Sequence, residues 1–313
     1  MKFLFNILYA LFITIGFSQD SKLGIPLSFD NDLRDDFRIL EMENVDIEAL
    51  LAEDQNSPSN IPFRFGYPIQ KNIDVIKEGT WEQTSDGSSV LRLKIASNGA
   101  YSIRTIFSIF KMTDNAELYI YNESHENLFG AYTSLNNQDD FRFSTPLVTG
   151  DTMIIELNLD PDSNELPELY VDTVVHDYKD FYSFINRERA CGANVACSEA
   201  DPYEDQVNSV AYIEMGWSIC SGGMVNNLRQ DLTPYFLTAD HCYSGSPSSY
   251  RFYFDYKTSS CSGSNASTGS SVYGAQLKSR SYDMDTDYML LRLTGSIPSS
   301  SNIPVVATNV LID

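Results

Sequence analysis

All five cysteines of this 313-residue chain lie in its C-terminal part, at Cys191, Cys197, Cys220, Cys242 and Cys261. In an exported protein, such clustering is typical of a domain that is held together by disulfides. Two disulfides would leave one of the five cysteines unpaired, and a lone cysteine in a secreted chain implies a disulfide partner elsewhere. The preceding region contains no cysteine, and the length allows two or more domains with separate cores.

The first 18 residues have the composition of a signal peptide. Lys2 precedes an apolar run from Phe3 to Phe17, and the small residue Ser18 stands before polar sequence. The run is short for a membrane span and no basic cluster follows it, so a retained membrane anchor is the weaker alternative. We therefore expect a protein that is secreted, extracellular after passing the periplasm, and free of the membrane once residues 1–18 are removed.

The composition disfavours several classes of function. The formal net charge is −22 and 12% of the residues are aromatic, which is typical of a folded acidic protein and unfavourable for nucleic-acid binding. Of the three histidines, His125 and His176 are best interpreted as surface or core residues. Because the histidines are scattered and the cysteines are expected in disulfides, we expect no metal site and no cofactor.

Period-two alternation dominates the middle of the chain, residues 73–170. For example, Leu91, Leu93 and Ile95 alternate with charged residues, and Gly- and Asn-containing turn signals separate such segments. This pattern predicts antiparallel strands with one buried face, arranged as a β-sandwich. The pro-region before it, residues 19–72, is mixed and acidic; it shows no chemistry, and a segment from Ile39 to Leu51 is compatible with a short helix.

We expect a linker over residues 171–189, where charged and aromatic residues follow no clear period. It ends in Arg187-Glu188-Arg189, directly before the first cysteine, so Arg187 and Arg189 are candidate processing sites. Residues 190–313 contain about six short apolar segments separated by turns, which fit one Greek-key barrel. A Ser/Gly-rich run over residues 258–271 predicts a flexible loop between two of its strands.

One histidine follows directly on an apolar strand. Thr238-Ala239-Asp240-His241-Cys242 comes after Tyr235-Phe236-Leu237. A histidine held at a strand end can act as a general base if a carboxylate orients its ring. Cys242 can bridge back to Cys220, which would close a loop of about 20 residues and stabilise this backbone by about 3 kcal/mol.

Candidates for the orienting carboxylate precede the apolar strand 288–293, at Asp283, Asp285 and Asp287. All three have odd residue numbers, so in a strand their side chains would point to the same face, and alternation does not distinguish among them. The order of a histidine before an aspartate is one of the known arrangements of a serine-protease triad. Taken without other signals, these aspartates would be interpreted as an acidic solvated loop.

Three segments together resemble the bacterial lysyl endopeptidase branch of the chymotrypsin-fold, trypsin-like serine proteases. They are Cys-Ser-Gly-Gly-Met-Val-Asn-Asn at 220–227, Tyr-Phe-Leu-Thr-Ala-Asp-His-Cys at 235–242 and Thr-Asp-Tyr-Met-Leu-Leu at 286–291. The resemblance implies that His241 is the general base and that Asp287 orients it. Residues 73–170 are similar to the β-rich propeptide of this branch, which implies a zymogen whose own propeptide is a partner of its protease domain.

The resemblance also implies a disulfide pattern. Cys197 would pair with Cys261 and Cys220 with Cys242, while Cys191 would pair with a cysteine near the far C-terminus of the family's proteins. Cys191 would then have no partner within these 313 residues.

The chain departs from the family at the nucleophile. It contains no Gly-Asp-Ser-Gly segment. In the family, the nucleophilic serine, the oxyanion amides and the lysine- or arginine-selecting pocket lie in a second barrel, which we expect to be missing from these 313 residues. Ser221 lies on the strand that leads to His241. We do not expect Ser221 to be the nucleophile, because a nucleophile must face the base across the cleft.

The expected fold is therefore mainly β: a β-sandwich-like propeptide domain followed by the first, N-terminal β-barrel of a chymotrypsin-like fold, with the second barrel missing. The expected function is that of a precursor of a secreted serine endopeptidase that hydrolyses polypeptides, after lysine or arginine if it follows the family. The 313 residues by themselves would carry the base and its orienting acid and would be inactive. The alternative is a non-catalytic secreted β-sandwich binding module with a vestigial protease half-domain.

Overall fold

The structure, a computed structural model, describes residues 24–58, 61–185, 194–263, 270–283, 286–295 and 311–312. Strands dominate these residues, which confirms the expected mainly β fold. In chain order the strands are β1 (Ile39–Glu41), β2 (Phe63–Arg64), β3 (Gly66–Asp74), β4 (Thr80–Gln83), β5 (Ser89–Ala96), β6 (Ser102–Lys111), β7 (Ala116–Tyr121), β8 (Leu128–Tyr132), β9 (Phe143–Ser144), β10 (Val148–Thr149), β11 (Thr152–Leu159), β12 (Glu168–Asp177), β13 (Val210–Met215), β14 (Ser218–Asn227), β15 (Tyr235–Thr238), β16 (Arg251–Phe254), β17 (Ser270–Tyr273), β18 (Ala275–Tyr282), β19 (Asp287–Leu293) and β20 (Leu311–Ile312).

Helices are short in the described part of the chain. They are α1 (Leu27–Asp30), α2 (Ile47–Gln55), α3 (Val75–Glu78), α4 (Phe181–Ile185) and α5 (Glu204–Ser209). Short 3₁₀ helices cover Ser134–Asn136, Ser198–Tyr203, Asp240–Cys242 and Pro247–Ser249.

Two sheets share one hydrophobic core and form the sandwich. The first has the strand order β1-β5-β11-β7-β8, with β4 also paired to β5, and the second has the order β10-β6-β12-β3, with β9 also paired to β6. The alternating residues Leu91, Leu93 and Ile95 of β5 lie in the core, where they meet Phe107 and Phe110 of β6 in the other sheet. Burial of one face of each sheet is the physical basis of the alternation in the sequence.

The sandwich extends beyond the expected limits of residues 73 and 170. Its edge strand β3 begins at Gly66, and β12 continues to Asp177, through the first part of the expected linker. In the sequence, Gly66 and Pro68 are turn signals. Among the described strands, β3 pairs only with β12, so it is an edge strand, and proline is tolerated at such an edge.

The segment from Ile39 to Leu51 is not one helix, contrary to expectation. Its first residues form β1, which adds in parallel to β5, with Leu40 opposite Ile95. The helix α2 begins only at Ile47, because the side chain of Asp46 accepts a hydrogen bond from the backbone N of Ala49 at 3.0 Å and caps the first turn there.

The third sheet curls around a separate core and forms the barrel. Its order is β17-β16-β13-β14-β15-β19-β18, with β2 and β20 added to β14. Phe236, Phe252, Met289 and Leu291 lie in its core. The strands β17 and β18 fall where the sequence does not predict strands, and β17 includes the end of the expected flexible loop. Only Gly274 separates them, and its φ of +80° allows the sharp turn.

A buried ion pair joins the sandwich to the barrel. Nη2 of Arg104 on β6 lies 2.7 Å from Oε2 of Glu214 on β13, and the two side chains are 0% and 3% exposed. Arg104 also donates to the carbonyl oxygens of Thr145 at 2.9 Å and Gly216 at 3.0 Å. Apolar side chains of both domains cluster at the same interface: Phe65, Ile106, Leu147, Val175 and Phe181 with Tyr212, Trp217 and Ile219. The desolvated charges are therefore paired and hydrogen-bonded, as buried charges require.

Candidate active site

His241 lies on a short 3₁₀ turn directly after β15. Before the turn, the Thr238 hydroxyl donates to the Ser221 carbonyl oxygen at 2.8 Å and attaches the end of β15 to β14. After His241, Cys242 forms a disulfide with Cys220 of β14, with their Cα atoms 6.0 Å apart. The backbone that carries the imidazole is thus fixed on both sides.

Asp287 begins β19 and accepts two hydrogen bonds from His241. Nδ1 of the ring lies 2.6 Å from Oδ2, and the backbone N lies 3.0 Å from Oδ1. The ring hydrogen bond, followed by the backbone one, lowers the pKa of the Asp287 carboxyl below its usual value. An ionised carboxylate only accepts, so Nδ1 carries the proton and Nε2 is left as the basic atom of the ring.

This histidine–aspartate pair lies at the surface of the barrel. The side chains of His241 and Asp287 are 29% and 40% exposed. A reacting group can therefore approach the ring from outside the barrel, while the carboxylate holds the opposite side of the ring.

A second acidic residue on the histidine turn, Asp240, is bound by Arg280 of β18. Nε and Nη2 of the arginine lie 2.5 Å and 2.8 Å from the two carboxylate oxygens, and Asp240 is 4% exposed. The guanidinium carbon also lies 3.8 Å from the centroid of the Tyr243 ring. This ion pair connects the turn to the β18–β19 hairpin that carries Asp287. Arg280 was not among the residues predicted from the sequence. In the sequence it is only a positively charged residue shortly before the candidate aspartates.

The structure brings only one of the three candidate carboxylates to His241 within the described residues. Asp283 instead accepts a hydrogen bond from the backbone N of Thr286 at 3.0 Å, in the turn before β19. Asp285 lies outside the residues that the structure describes.

The other two histidines lie in the sandwich. His176 on β12 is buried, and its Nδ1 lies 2.8 Å from the hydroxyl oxygen of Ser97. His125 is exposed, and its ring stacks on Phe29 with the centroids 4.0 Å apart. Neither residue is part of the site around His241.

Ser221 is an exposed residue of β14, opposite Tyr212 of β13. In the described part of the chain, no hydrogen bond joins its hydroxyl to His241. The next residue, Gly222, packs directly against β15, because a Cβ there would collide with the Phe236 ring and the Leu237 carbonyl oxygen. The glycine after Ser221 is thus explained by strand packing.

The chain contains both disulfides that the resemblance implies, Cys197–Cys261 and Cys220–Cys242. Sulfurs of the second one and a ring nitrogen of His241 lie within 4.8 Å of one another. This group is not a metal site, because metals bind cysteine as the thiolate and disulfide sulfurs are not thiolates. The remaining cysteine, Cys191, and the candidate processing residues Arg187 and Arg189 lie outside the described residues.

Comparison with known protein families gives two matches. A family model described as the lysyl endopeptidase N-terminal domain matches residues 68–176, which cover most of the sandwich. A second, described as the lysyl endopeptidase C-terminal domain, matches residues 185–306, which include both His241 and Asp287. Among the described residues, no helix has the length and apolar character needed to cross a membrane. With both domains matched in order along the chain, the protein belongs to the lysyl endopeptidase-like proteases of the trypsin family.

Proposed function

We propose that this chain is the precursor region of a secreted serine endopeptidase in which His241 is the general base and Asp287 orients it. The observation that carries the proposal is the 2.6 Å contact between Nδ1 of His241 and Oδ2 of Asp287, because it leaves Nε2 as the basic atom. The family match supports peptide-bond hydrolysis, and its lysyl endopeptidase description favours cleavage after lysine. Cleavage after arginine is the other outcome expected from the sequence.

In the proposed reaction, Nε2 of His241 removes the proton of a serine hydroxyl while the serine oxygen attacks the scissile carbonyl carbon. The resulting imidazolium is stabilised by Asp287, whose lowered pKa favours the ionised form. Nε2 then gives the proton to the leaving amine, the carbon–nitrogen bond breaks, and an acyl-enzyme remains. A water molecule activated by the same nitrogen releases the acid and restores the serine.

We propose that the nucleophilic serine lies on polypeptide outside these 313 residues. The sequence has no Gly-Asp-Ser-Gly segment, and within the described residues no serine hydroxyl is hydrogen-bonded to the His241 ring. The same outside segment would supply the partner of Cys191. The 313-residue chain alone is therefore expected to be inactive.

Export and processing are part of the proposal. The signal-like residues 1–18 and the two disulfides support an oxidising destination outside the cytoplasm. The sandwich, which matches the family's N-terminal domain, would be the propeptide. Cleavage near Arg187 or Arg189 would separate it from the barrel.

Labelling with a fluorophosphonate tests this function, because the reagent reacts with a serine that is activated by a general base. The 313-residue chain is compared with the protein expressed from the gene together with its downstream DNA. We expect the longer protein to be labelled at a serine beyond residue 313 and to hydrolyse a lysyl or arginyl peptide, and we expect the chain alone to stay unlabelled.

The matched variants are His241→Ala, which should abolish labelling and hydrolysis, and His125→Asn, which should retain both. Labelling at any serine within residues 1–313 would show that the nucleophile is wrongly assigned. If neither protein is labelled or active, the non-catalytic binding module is favoured instead.

A further inference from the structure

A disulfide lies directly beside the proposed base. Cys242 follows His241 on the histidine turn and is bonded to Cys220 of β14, with the two Cα atoms 6.0 Å apart. The two sulfurs and a ring nitrogen of His241 lie within 4.8 Å of one another. Among the residues that the structure describes, this is the only set of histidine, cysteine and acidic side chains that brings three ligand atoms so close together.

The spacing of these atoms is close to that of a tetrahedral zinc site. Zinc binds cysteine sulfur at about 2.3 Å and histidine nitrogen at about 2.0–2.1 Å, so its ligand atoms lie about 3.5–3.8 Å apart. The limit of 4.8 Å is only about 1 Å above that spacing. The closed disulfide does not bind a metal, because the metal ligand is the thiolate. In the thiol form, each sulfur can turn about its own Cα–Cβ bond to reach a shared ion.

The His241 ring is already oriented as a metal ligand would be. Its Nδ1 lies 2.6 Å from Oδ2 of Asp287, which leaves the lone pair of Nε2 free. A metal-binding histidine almost always donates its other ring N–H to a carboxylate, a carbonyl or water, because this contact fixes the ring and makes the ligating nitrogen more basic. The contact that prepares Nε2 to accept a proton therefore prepares it equally to bind a cation.

Contacts other than the disulfide hold the three ligand positions. Cys220 lies opposite Ile213 in the ladder between β13 and β14. Cys242 is 2% exposed and belongs to the core of the barrel. Arg280 binds both carboxylate oxygens of Asp240, the first residue of the histidine turn. The strand and the turn therefore have their own attachments to the barrel when the sulfur–sulfur bond is open.

A cavity of about 290 Å³ offers the fourth coordination position. Its lining includes His241 and Tyr243 on the histidine turn, Trp217 before β14 and Arg64 of β2. The His241 side chain is 29% exposed, so water reaches the ring. A zinc ion held by three protein ligands commonly takes water as its fourth ligand.

We propose that Cys220, Cys242 and His241 form a zinc site in the thiol form of the chain, and that closure of the Cys220–Cys242 disulfide abolishes it. Two thiolate sulfurs and Nε2 bind the ion. An exported chain passes through the thiol form, because its cysteines are reduced in the cytoplasm and oxidised only after export. A thiol reductant regenerates this form by supplying two electrons and two protons to the disulfide, and the two thiols release their protons when zinc binds.

One consequence rests on the proposed function. Zinc on Nε2 of His241 occupies the atom that acts as the base, so the ring is free for catalysis only when the Cys220–Cys242 disulfide is closed. The disulfide would then protect the base from zinc in addition to bracing the backbone.

Cobalt reports this site in the 313-residue chain without the nucleophile. Every protein carries Cys191→Ser, so that only the two cysteine pairs of the disulfides remain. The chain is titrated with Co²⁺ in the presence of a phosphine reductant. We expect a thiolate-to-cobalt charge-transfer band in the near ultraviolet and the visible bands of tetrahedral Co²⁺. Zn²⁺ should bleach both, because tetrahedral sites of sulfur and nitrogen favour zinc. Without reductant, neither should appear.

Variants of the two cysteine pairs locate the thiolates. Cys220→Ser/Cys242→Ser should abolish the charge-transfer band in the reduced chain. The matched control Cys197→Ser/Cys261→Ser removes the other disulfide and should bind Co²⁺ with unchanged affinity. If this control fails to fold, the loss of the band in Cys220→Ser/Cys242→Ser, which keeps the other pair, still decides between the two pairs.

Substitutions around the imidazole distinguish a three-ligand site from binding to the thiols alone. Asp287→Asn should weaken Co²⁺ binding by about 10–100-fold, as expected for the loss of a carboxylate behind a histidine ligand. His241→Ala should weaken it by more than about a hundredfold, because the ligand itself is lost. The controls His125→Asn and Asp255→Asn, at exposed side chains elsewhere, should bind as the parent does.

Carbethoxylation by diethyl pyrocarbonate measures whether the metal occupies the ring of His241. The rate at His241 is read by peptide mapping and mass spectrometry, with His125 as internal reference. In the reduced chain, Zn²⁺ at ten times its Kd should slow the reaction at His241 about tenfold, because about one molecule in eleven keeps a free ring. The oxidised chain at the same zinc concentration should react at an unchanged rate.

Three results would overturn the zinc site. The first is a reduced, folded chain without the cobalt bands, and the second is His241→Ala with the affinity of the parent. The third is loss of the near-ultraviolet circular dichroism when the chain is reduced in the presence of Zn²⁺, because the ligand positions would then depend on the disulfide. Equal affinity in Asp287→Asn and its parent would refute Nε2 as the ligand atom.

Fluorophosphonate labelling of the protein with its downstream sequence separates the two proposals. Labelling that depends on His241, together with no cobalt bands in the reduced chain, contradicts only the zinc site. Cobalt bands that depend on His241, together with no labelling in any form of the protein, contradict only the proposed function.

Discussion

The Asp287 carboxylate fixes both the orientation and the tautomer of the His241 ring. In Asp287→Asn, the amide can donate to Nδ1 and would favour the wrong tautomer. In the protein expressed with its downstream sequence, we expect kcat/KM for a lysyl or arginyl peptide to fall by about 10⁴. Asp255→Asn, at an exposed carboxylate paired with Lys257, is the matched control and should stay near wild type. A loss of less than about tenfold in Asp287→Asn would refute the assigned role.

Arg280 should affect turnover only by positioning the histidine turn, because it binds Asp240 on that turn and does not touch the His241 ring. We expect Arg280→Gln to lower kcat by about tenfold to a hundredfold with little change in KM, since a small misplacement of a catalytic group is costly. Arg280→Lys should restore part of the loss, because it returns the charge without the two-point contact. Lys278→Gln, on the same strand, is the control. A change in KM with constant kcat would contradict a positioning role.

The two residues of the proposed dyad could be found from the sequence, but by different routes. His241 follows an apolar strand in a contiguous motif, whereas the choice of Asp287 over Asp283 needed the family resemblance, because both have the same parity. Arg280 could not be found. The β18–β19 pairing shifts register between Leu277 and Ser279, so simple alternation does not give the direction of the side chains beyond the shift.

At the scale of elements, alternation identified long strands such as β5 and failed for short or interrupted ones. β2 has only two residues, and its place in the barrel depends on a partner more than 150 residues away. A two-residue strand cannot show a period, and its pairing is a tertiary contact. The pro-region therefore carried no recognisable signal in the sequence, although it lies beside the candidate site.

The central strand β12 should make the stability of the protein sensitive to acid. His176 on this strand is buried, and burial lowers the pKa of its imidazole below the usual value. The unfolded chain therefore binds the proton more readily, so stability is complete above the unfolded pKa of about 6.5 and falls as the pH decreases below it.

We expect His176→Gln to flatten this dependence between about pH 6.5 and pH 5, measured by urea denaturation at a series of pH values. Both proteins retain the neighbouring buried Asp177, so their difference isolates His176. Above about pH 7.5 the two slopes should agree, which serves as the internal control. Equal slopes in the acidic range would contradict the prediction.

For the whole molecule, the Arg104–Glu214 pair links the stability of the sandwich to that of the barrel. Arg104→Leu leaves Glu214 buried without its cation and should lower the free energy of unfolding by about 3–5 kcal/mol. Arg104→Leu/Glu214→Leu removes both charges and should recover most of this loss. Both are measured by urea denaturation.

The exposed pair Lys111–Glu168 provides the comparison. Lys111→Leu should cost far less than Arg104→Leu, because exposed ion pairs contribute little. An Arg104→Leu effect as small as this, or a double variant no more stable than the single one, would show that the interface does not depend on the buried charges.

Removal of the sandwich would also remove the counterion of Glu214. The carboxylate on β13 is neutralised by a guanidinium that belongs to the other domain. Arg251 of β16 lies opposite Glu214 within the barrel, so a barrel freed of its N-terminal partner must hydrate the anion or neutralise it with Arg251 or another cation. Whichever molecule next covers that face gains affinity if it presents a positive charge there.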